Sequence, residues 1–247
     1  MTYPQCTSDE LKDKIILITG AGSGIGKQAA ITFARYGATC ILLGRRVDTL
    51  EHTYDEITAL GYNEPSILPL DMKGATSKHY KQMAQTIVHE YGRLDGCLHN
   101  ASQLGSLCQF KDIEPQQWND VLKVNVTATA QMTQALLSPL SLANSASIVF
   151  TSSSVGRKGR AFWGSYSVSK FATEGMMQVL ADEYKSSSMR FNCINPGATR
   201  TEMRAKAYPA EDPLTLKTAQ DIMPTYVYLM SDESKSENGQ SFDCQPK

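Results

Sequence analysis

Short apolar runs rich in β-branched residues alternate along this chain with longer amphipathic stretches. The runs that we predict as strands are 15–19, 39–43, 66–70, 96–99, 147–151, 190–194 and, as a last candidate, 240–242. The predicted helices are about 24–36, 47–60, 77–91, 115–142, 165–185 and 218–230. Nearly continuous apolar strands joined by helices indicate a parallel sheet that is covered on both faces. We therefore predict an α/β fold: a single domain over residues 1–247, with a doubly wound Rossmann-type parallel sheet of about seven strands and helices on both faces.

Charge and cysteine content narrow the classes of function. The 24 Lys and Arg residues balance 25 Asp and Glu residues, for a net charge of −1, so no basic surface points to nucleic acid or an anionic membrane. The six cysteines form no Cys-x-x-Cys pair and residues 1–14 contain no apolar signal core, which favours reduced thiols in a cytoplasmic protein. No apolar stretch approaches the roughly 20 residues of a membrane-spanning helix. The four histidines show no metal-ligand spacing, and no metal is expected.

A glycine-rich segment lies between the first predicted strand and the first predicted helix. Gly20 follows the strand, and Gly24 and Gly26 open the helix together with Ser23 and Ile25. Glycine permits positive φ angles and close approach of the backbone to a phosphate, and a helix N-terminus offers free N–H groups to an anion. The segment predicts a nucleotide pyrophosphate site, and the alternative is a simple tight turn between strand and helix.

The end of the second predicted strand indicates which nucleotide is bound. The strand runs into Arg45 and Arg46, without the carboxylate that NAD-selective sites usually place there. Asp48 comes later, in the first turn of the next helix, where we expect it to cap that helix. Two guanidinium groups can hold a 2′-phosphate. We therefore favour NADP(H) over NAD(H), and the alternative is a solvated basic pair.

Tyr166 and Lys170 are four residues apart and share one face of a predicted helix. There, an ammonium group can hold a phenol in its reactive range of protonation, and a serine hydroxyl can bind the same substrate oxygen. Ser153 precedes the tyrosine within a run of serines, which leaves Ser152 and Ser154 as alternatives. Together with the glycine-rich segment, this set predicts hydride transfer between a nicotinamide and a carbon–oxygen bond. The alternative is a packing tyrosine and a solvated lysine.

Several motifs occur in order along nearly the whole chain: TGAGSGIG at 19–26, LHNAS at 98–102, NVTAT at 125–129, TSSS at 151–154, YSVSK at 166–170 and NPGATRT at 195–201. With these motifs the chain resembles the short-chain dehydrogenase/reductase family, and within it a bacterial subgroup of oxidoreductases whose substrate is not assigned. It departs from the family pattern at His99 and Ser102, where the family has Asn and Gly. It departs again at residues 241–247, which replace a glycine-rich end.

The resemblance implies a role for each matching residue. Tyr166 would be the general acid and base, Lys170 would bind the nicotinamide ribose and lower the pKa of the tyrosine, and Ser153 would bind the substrate oxygen. Asn125 would hold a water that links Lys170 to solvent. The other cofactor contacts that the resemblance implies are Asp71 and Met72 for the adenine, Asn100 and Ala101 for the adenine ribose, and Pro196, Gly197 and Thr199 or Thr201 for the nicotinamide.

These residues predict an NADP(H)-dependent oxidoreductase that acts on a small or medium-sized carbonyl or alcohol substrate. The alternative is an NADP(H)-binding sensor or scaffold without turnover. Residues 199–218, the longest stretch without a clear period, are predicted to form a flap over the substrate. In the stretch 157–163, Phe162 and Trp163 suggest an apolar or aromatic wall of the substrate pocket. A further hypothesis is that Arg157 or Arg160 attracts an anionic group of the substrate, but a solvated loop is the favoured interpretation of these two arginines. The resemblance implies a homodimer or homotetramer.

Overall fold

One parallel sheet organises residues 9–246, the part of the chain that this computed structural model describes. Its strands lie in the order β3-β2-β1-β4-β5-β6-β7, and all neighbouring pairs are parallel. The strands are β1 (Ile15–Thr19), β2 (Thr39–Gly44), β3 (Ser66–Pro69), β4 (Gly96–His99), β5 (Ala146–Thr151), β6 (Met189–Asn195) and β7 (Ser241–Asp243). The order reverses between β1 and β4, and open sheets of this kind bind ligands at such a switch point, outside the carboxyl ends of the strands.

Helices cover both faces of the sheet. Those of the described chain are α1 (Gly24–Arg35), α2 (Val47–Ala59), α3 (Ser77–Tyr91), α4 (Pro115–Leu122), α5 (Thr129–Ser141), α6 (Gly164–Glu183), α7 (Glu202–Ala207) and α8 (Met223–Met230). Helices α3, α5 and α6 pack on one face, where Tyr80, Met132 and Phe191 are buried. Helices α1, α2 and α8 pack on the other, around Phe33 and Tyr226. The predicted α/β fold, with a doubly wound Rossmann-type sheet, is confirmed.

The helix predicted over residues 115–142 is interrupted in the structure. A wider π-helical turn, Lys123–Ala128, separates α4 from α5. A hydrophobic period of 3.6 residues does not reveal one inserted residue, so the sequence could not show this turn. Such turns often occur at functional sites, and this one carries Asn125.

Two differences fall near the end of the chain. In the predicted helix 218–230, only Met223–Met230 is α-helical, and Gln220–Ile222 is a 3₁₀ turn. The Asp221 carboxylate accepts hydrogen bonds from the N–H and the hydroxyl of Thr218, both at 2.7 Å. These local bonds compete with a regular first turn of the helix. The predicted flap contains a short helix, α7, which has too few residues to show a period. The Thr201 hydroxyl caps α7 by accepting the N–H of Arg204 at 3.1 Å.

The N-terminal segment and the cysteines are only partly within the described residues. Cys6 and residues 1–8 of the polar N-terminal segment lie outside the described range. The cysteines within it, Cys40, Cys97, Cys108, Cys193 and Cys244, are free thiols. Within residues 9–246, none of the helices combines the length and the apolar character that crossing a bilayer requires.

Candidate active site

The glycine-rich loop joins β1 to α1 at the switch point of the sheet. Gly20 and Gly24 have φ angles of 72° and 53°, which favour glycine. The N–H of Gly20 donates to the carbonyl of Leu43 at 2.8 Å. A Cβ atom on Gly26 would lie 2.2 Å from the carbonyl oxygen of Gly20, so only glycine allows the helix to start this close to the loop. The structure thus brings the predicted glycines together in one narrow turn.

The first turn of α1 is open to an anion. Ser23 is the N-cap residue of α1 and is exposed, and its side chain makes no capping hydrogen bond. Ile25 is half-buried and packs against the core on the α1 side of the sheet. The first N–H groups of a helix have no partner within the helix, so the backbone next to Ser23 can bind phosphate oxygens.

Asn100 and Ala101 lie directly beside this loop. Their N–H groups both donate to the Thr19 hydroxyl oxygen at 2.9 Å, and the Thr151 hydroxyl lies 3.4 Å from Asn100 Oδ1. A Cβ atom on Gly26 would be 2.8 Å from Asn100 Nδ2. Asn100 and Ala101, which the resemblance places at the adenine ribose, therefore tie the carboxyl ends of β1, β4 and β5 to the glycine-rich loop.

The two arginines after β2 differ in their surroundings. Arg46 holds Asp48 through Nη2–Oδ2 at 2.6 Å and Nε–Oδ1 at 3.2 Å, and this partner raises the pKa of Arg46 and lowers the pKa of Asp48. Asp48 lies in the first turn of α2, as predicted, but it is not the cap: the N-cap residue is Arg46. Arg45 is also exposed, and within residues 9–246 no ion pair or hydrogen bond engages its side chain. Arg45 is therefore the guanidinium that is free to bind a ligand.

Asp71 and Met72 lie at the turn after β3, and only one of them has an exposed side chain. The Asp71 carboxylate is exposed and accepts the N–H of Lys73 at 3.1 Å. The Met72 side chain is 5% exposed and belongs to the core. A ligand in this turn could reach the carboxylate of Asp71, but only the backbone of Met72.

Tyr166 and Lys170 lie side by side on α6, as the spacing predicts. Tyr166 is 8% exposed and Lys170 is 4% exposed. Lys170 Nζ donates to the carbonyl of Thr151 at 2.7 Å and lies 5.4 Å from the centre of the Tyr166 ring. The end of β5 thus holds the ammonium next to the phenol, at the same edge of the sheet as the glycine-rich loop.

Burial sets the protonation of both groups. It raises the pKa of Tyr166 to about 12, with a smaller opposing effect from the Ser102 hydroxyl. It lowers the pKa of Lys170 to about 8, which the charge of Glu174 partly opposes. The expected lowering of the tyrosine pKa by Lys170 is not seen in the cofactor-free chain, because loss of hydration disfavours the phenolate more. At neutral pH, Tyr166 is protonated and Lys170 is charged.

Asn125 connects the π-helical turn to helix α6. Its Oδ1 accepts the N–H of Gln103 at 2.7 Å, and its Nδ2 donates to the carbonyl of Gln103 at 2.9 Å and to Ser169 Oγ at 3.0 Å. Asn125 is 4% exposed. Its side chain fixes the loop after β4 against α6, one residue before Lys170. Its expected role in holding a water stays a prediction.

The three serines after β5 have different exposures. Ser152 is 1% exposed and its N–H donates to the carbonyl of Ile194 at 2.7 Å. Ser154 is exposed and begins a 3₁₀ turn. Ser153 lies half-buried between them, at the end of β5 that also holds Lys170. The assignment of the substrate-binding hydroxyl to Ser153 stays a prediction.

The two single-residue departures from the family pattern, His99 and Ser102, have different surroundings. His99 is buried, its ring stacks on Phe150 at 4.9 Å, and its Nε2 lies 3.0 Å from the Thr133 hydroxyl. Burial lowers the pKa of His99 to about 3, so it is a neutral packing residue of β4. Ser102, by contrast, lies beside Tyr166 and acts on its pKa. Nothing in the sequence around Ser102 indicates this role, because only the fold brings its hydroxyl to the phenol.

The residues expected beside the nicotinamide form a turn after β6. Gly197 has a φ angle of 72°. The Thr199 hydroxyl donates to the carbonyl of Pro196 at 3.2 Å, and Thr199 is 3% exposed. Thr201 caps α7, and its Cγ2 lies 3.7 Å from where a Cβ on Gly24 would be. Both threonines are thus near the site, and Thr201 faces the glycine-rich loop.

The C-terminal residues also reach this turn, which the sequence did not reveal. Gln245 Nε2 donates to the carbonyls of Pro196 and Ala198 at 2.9 and 3.0 Å. No periodicity or motif marks this glutamine. The only signal was that residues 241–247 depart from the family pattern.

The predicted flap, residues 199–218, is anchored at both ends. Thr199 and Lys217 form an isolated parallel bridge, and Arg200 Nε donates to the carbonyl of Pro213 at 2.7 Å. In its middle, Tyr208 lies 6.0 Å from Trp163, and the Arg204 guanidinium stacks 3.8 Å above the Tyr208 ring. The flap therefore joins the aromatic residues that precede Tyr166. Its movement over a substrate stays a prediction.

Both arginines considered for an anionic substrate are already bound. Arg157 pairs with the carboxylate of Asp243, with Nη1–Oδ2 at 3.2 Å. Arg160 Nη1 donates to the Tyr208 hydroxyl at 2.7 Å. Asp243 thus neutralises Arg157, whereas the Tyr208 hydroxyl is a neutral partner and does not neutralise Arg160. The anion site expected at Arg157 or Arg160 stays a prediction.

Comparison with known proteins agrees with this geometry. A family model described as short chain dehydrogenase matches residues 14–212. The chain belongs to the short-chain dehydrogenase family. A relative in this family, the uncharacterized oxidoreductase YciK of Escherichia coli K12, is 55% identical over 242 residues, which cover 98% of this chain and 96% of that protein. The resemblance to a bacterial subgroup of short-chain oxidoreductases is confirmed.

Two solved structures of short-chain dehydrogenases hold a nucleotide. One from Shigella flexneri, complexed with NADP, is 55% identical with a TM-score of 0.95, and the match covers 97% of this chain and 100% of that chain. One from Escherichia coli, complexed with NADPH, is 55% identical with a TM-score of 0.96, and the match covers 98% and 100%. The overall fold is therefore shared with nucleotide-binding members of the family.

In the cofactor-free protein, we predict that Lys170 loses its proton near pH 8, because burial lowers its pKa from 10.5 to about 8. It is charged below this pH and neutral above it. The ¹³C shift of the lysine Cε atoms, followed by NMR in labelled protein, reports the titration, and the spectrum of Lys170→Arg identifies the resonance. A midpoint at the ordinary value of 10.5 would contradict the account of this site.

Proposed function

We propose that the protein is an NADP(H)-dependent oxidoreductase that transfers hydride between the nicotinamide and a carbonyl or alcohol carbon, with Tyr166 as general acid and base. The observation that carries this proposal is the buried pair of Tyr166 and Lys170 at the carboxyl edge of the sheet, beside an open glycine-rich loop. The nucleotides in the two similar structures support the choice of cofactor.

The residues present fit a dinucleotide. Among the described residues, only the Thr201 side chain lies within 4 Å of where a Cβ atom on Gly24 would be, so the loop is open at this position and its backbone would hold the pyrophosphate. Arg45, with Arg46 next to it, would bind the 2′-phosphate, and Asp71 would bind the adenine. The other contacts that we propose are Met72 by its backbone, Asn100 and Ala101 at the adenine ribose, and Tyr166, Lys170, Pro196, Gly197, Thr199 and Thr201 around the nicotinamide.

When bound, the cofactor supplies or accepts the hydride. Tyr166 keeps its proton at neutral pH because burial raises its pKa, so in reduction it gives that proton to the substrate oxygen. Ser153 donates a hydrogen bond to the same oxygen as negative charge develops there. The charge of Lys170 then favours the phenolate that remains until solvent returns a proton through the region of Asn125. Oxidation of an alcohol runs through the same groups in reverse.

The surroundings of Tyr166 favour a neutral, apolar substrate. The ring of Trp163 lies 5.7 Å from that of Tyr166, and Tyr208 extends the aromatic surface beyond it. Phe162, 55% exposed with a φ angle of 74°, precedes them. Since Arg157 is neutralised by Asp243, the wall next to Tyr166 offers ring surfaces rather than the charge of that guanidinium.

A second copy of the chain is the proposed macromolecular partner. Helix α6 exposes Val168, Phe171 and Val179 at 42%, 47% and 57%, and apolar residues in a row on one helix are typical of subunit contacts. This supports the homodimer or homotetramer that the family resemblance implies.

A sensor or scaffold that binds NADP(H) without turnover is the competing function. Such a protein needs the glycine-rich loop and Arg45, but it does not need a buried phenol next to an ammonium. Replacing the phenol alone distinguishes the two functions.

We predict that Tyr166→Phe leaves NADPH affinity within a few-fold of the unmodified protein but lowers kcat by roughly 10²–10⁴, the usual contribution of a general acid. NADPH oxidation is measured with a panel of neutral ketones and aldehydes, and binding is measured by NADPH fluorescence. Tyr184→Phe, which removes a phenol hydroxyl at the C-terminal end of the same helix, is the matched control. Equal turnover in Tyr166→Phe and Tyr184→Phe would contradict the role of Tyr166.

We also predict that Arg45→Ala weakens NADPH binding by about tenfold or more, since a hydrogen bond to a charged group contributes about 1.5–3 kcal/mol. NADH binding stays unchanged because NADH has no 2′-phosphate. Arg46→Ala, which removes a side chain already paired with Asp48, has a smaller effect. Dissociation constants for both nucleotides test this, and an equal loss for NADH and NADPH would refute 2′-phosphate binding by Arg45.

A further inference from the structure

The C-terminal residues return from β7 to the turn that follows β6. The N–H of Cys244 donates to the carbonyl of Asn195 at 3.0 Å, which continues the pairing of β6 with β7 by one residue. This places Gln245 over the turn that runs from Asn195 to Thr199. Residues 244 and 245 thus lie against the backbone of that turn.

The amide group of Gln245 forms hydrogen bonds with the backbone of the turn 195–199. Its Nε2 atom donates to the carbonyl of Pro196 at 2.9 Å and to that of Ala198 at 3.0 Å, and it lies 3.4 Å from the Thr199 hydroxyl. A primary amide has two N–H groups, and the two carbonyls can engage both of them. One side chain therefore joins both sides of Gly197.

Gly197 provides the surface on which this amide lies. Its φ angle of 72° favours glycine, and a Cβ atom at this position would lie 3.0 Å from Gln245 Nε2 and 3.2 Å from Gln245 Cβ. Any side chain at 197 would push the glutamine away. The glycine and the glutamine are thus complementary in shape.

Asp243 ties the same segment to the loop after β5. Its carboxylate binds both Arg157 and Asn195, with Asn195 Nδ2–Oδ1 at 2.7 Å. Asn195 Oδ1 in turn accepts the N–H of Gly197 at 3.1 Å. The side chains of Asp243 and Gln245 therefore both bind residues of the turn 195–199.

We propose that residues 243–245 form a C-terminal latch that fixes the turn 195–199 in the conformation that receives the nicotinamide, with Gln245 as a positioning residue. The inference rests on the proposed function, in which this turn contacts the cofactor. A turn that is already held by the latch loses less conformational freedom on binding, which increases affinity.

The test compares Gln245→Ala and Gln245→Met with the unmodified protein. Methionine keeps the length of the side chain but has no N–H group, so both variants lose the donors while only alanine loses the volume. We expect both to bind NADPH about tenfold more weakly, because the released turn must be ordered when the nucleotide binds. We also expect faster amide hydrogen exchange of residues 195–201 in the cofactor-free variants, with a melting temperature only a few degrees below that of the unmodified protein.

Gln240→Ala is the matched control, because this exposed glutamine of the same segment has only one long side-chain hydrogen bond, to the carbonyl of Asn238 at 3.5 Å. It should match the unmodified protein in both measurements. Normal exchange of residues 195–201 in the two Gln245 variants would overturn the latch, as would normal behaviour of Gln245→Met alone. Failure of the unmodified protein to bind NADPH would instead contradict the proposed function, while the exchange data still test the latch.

Discussion

The site depends on the removal of a phenol and an ammonium from water at one edge of the sheet. Tyr166 and Lys170 are both almost completely buried, and burial disfavours the charged form of each group. The phenol keeps its proton well above neutral pH, whereas the ammonium is held by the carbonyl at the end of β5. The protein therefore stores a proton donor next to a positive charge, which is the arrangement needed to reduce a carbonyl.

The rest of the edge keeps this pair in place through polar contacts between elements distant in sequence. Ser169 donates to the carbonyl of Tyr166 at 2.7 Å and accepts from Asn125, so the π-helical turn and α6 share one buried network. The Ser167 hydroxyl donates to the carbonyl of Val155 at 2.6 Å, which fixes α6 against the loop that carries Ser153. Since buried polar groups are costly when unpaired, this network strongly favours one orientation of α6.

The sequence predicts those features that depend on local patterns. Strands buried on both faces are continuous apolar runs, so their ends are found within one or two residues, and the i, i+4 spacing places Lys170 beside Tyr166. The sequence does not predict individual side-chain contacts. The pairing of Arg46 with Asp48 is local but leaves no periodic signal, and neither do the two distant contacts, of Ser102 with Tyr166 and of Gln245 with the turn after β6. The π-helical turn escapes because one extra residue hardly changes a helical pattern.

The protonation of Tyr166 in the cofactor-free protein is the most direct test of this account. Tyrosine labelled with ¹³C at Cζ gives an NMR titration for each phenol, and the Tyr166→Phe variant identifies the resonance. The account predicts a pKa of about 12, above the ordinary value, because the buried phenolate lacks hydration. A pKa at or below the ordinary value of 10 would contradict it, since the charge of Lys170 would then outweigh the loss of hydration.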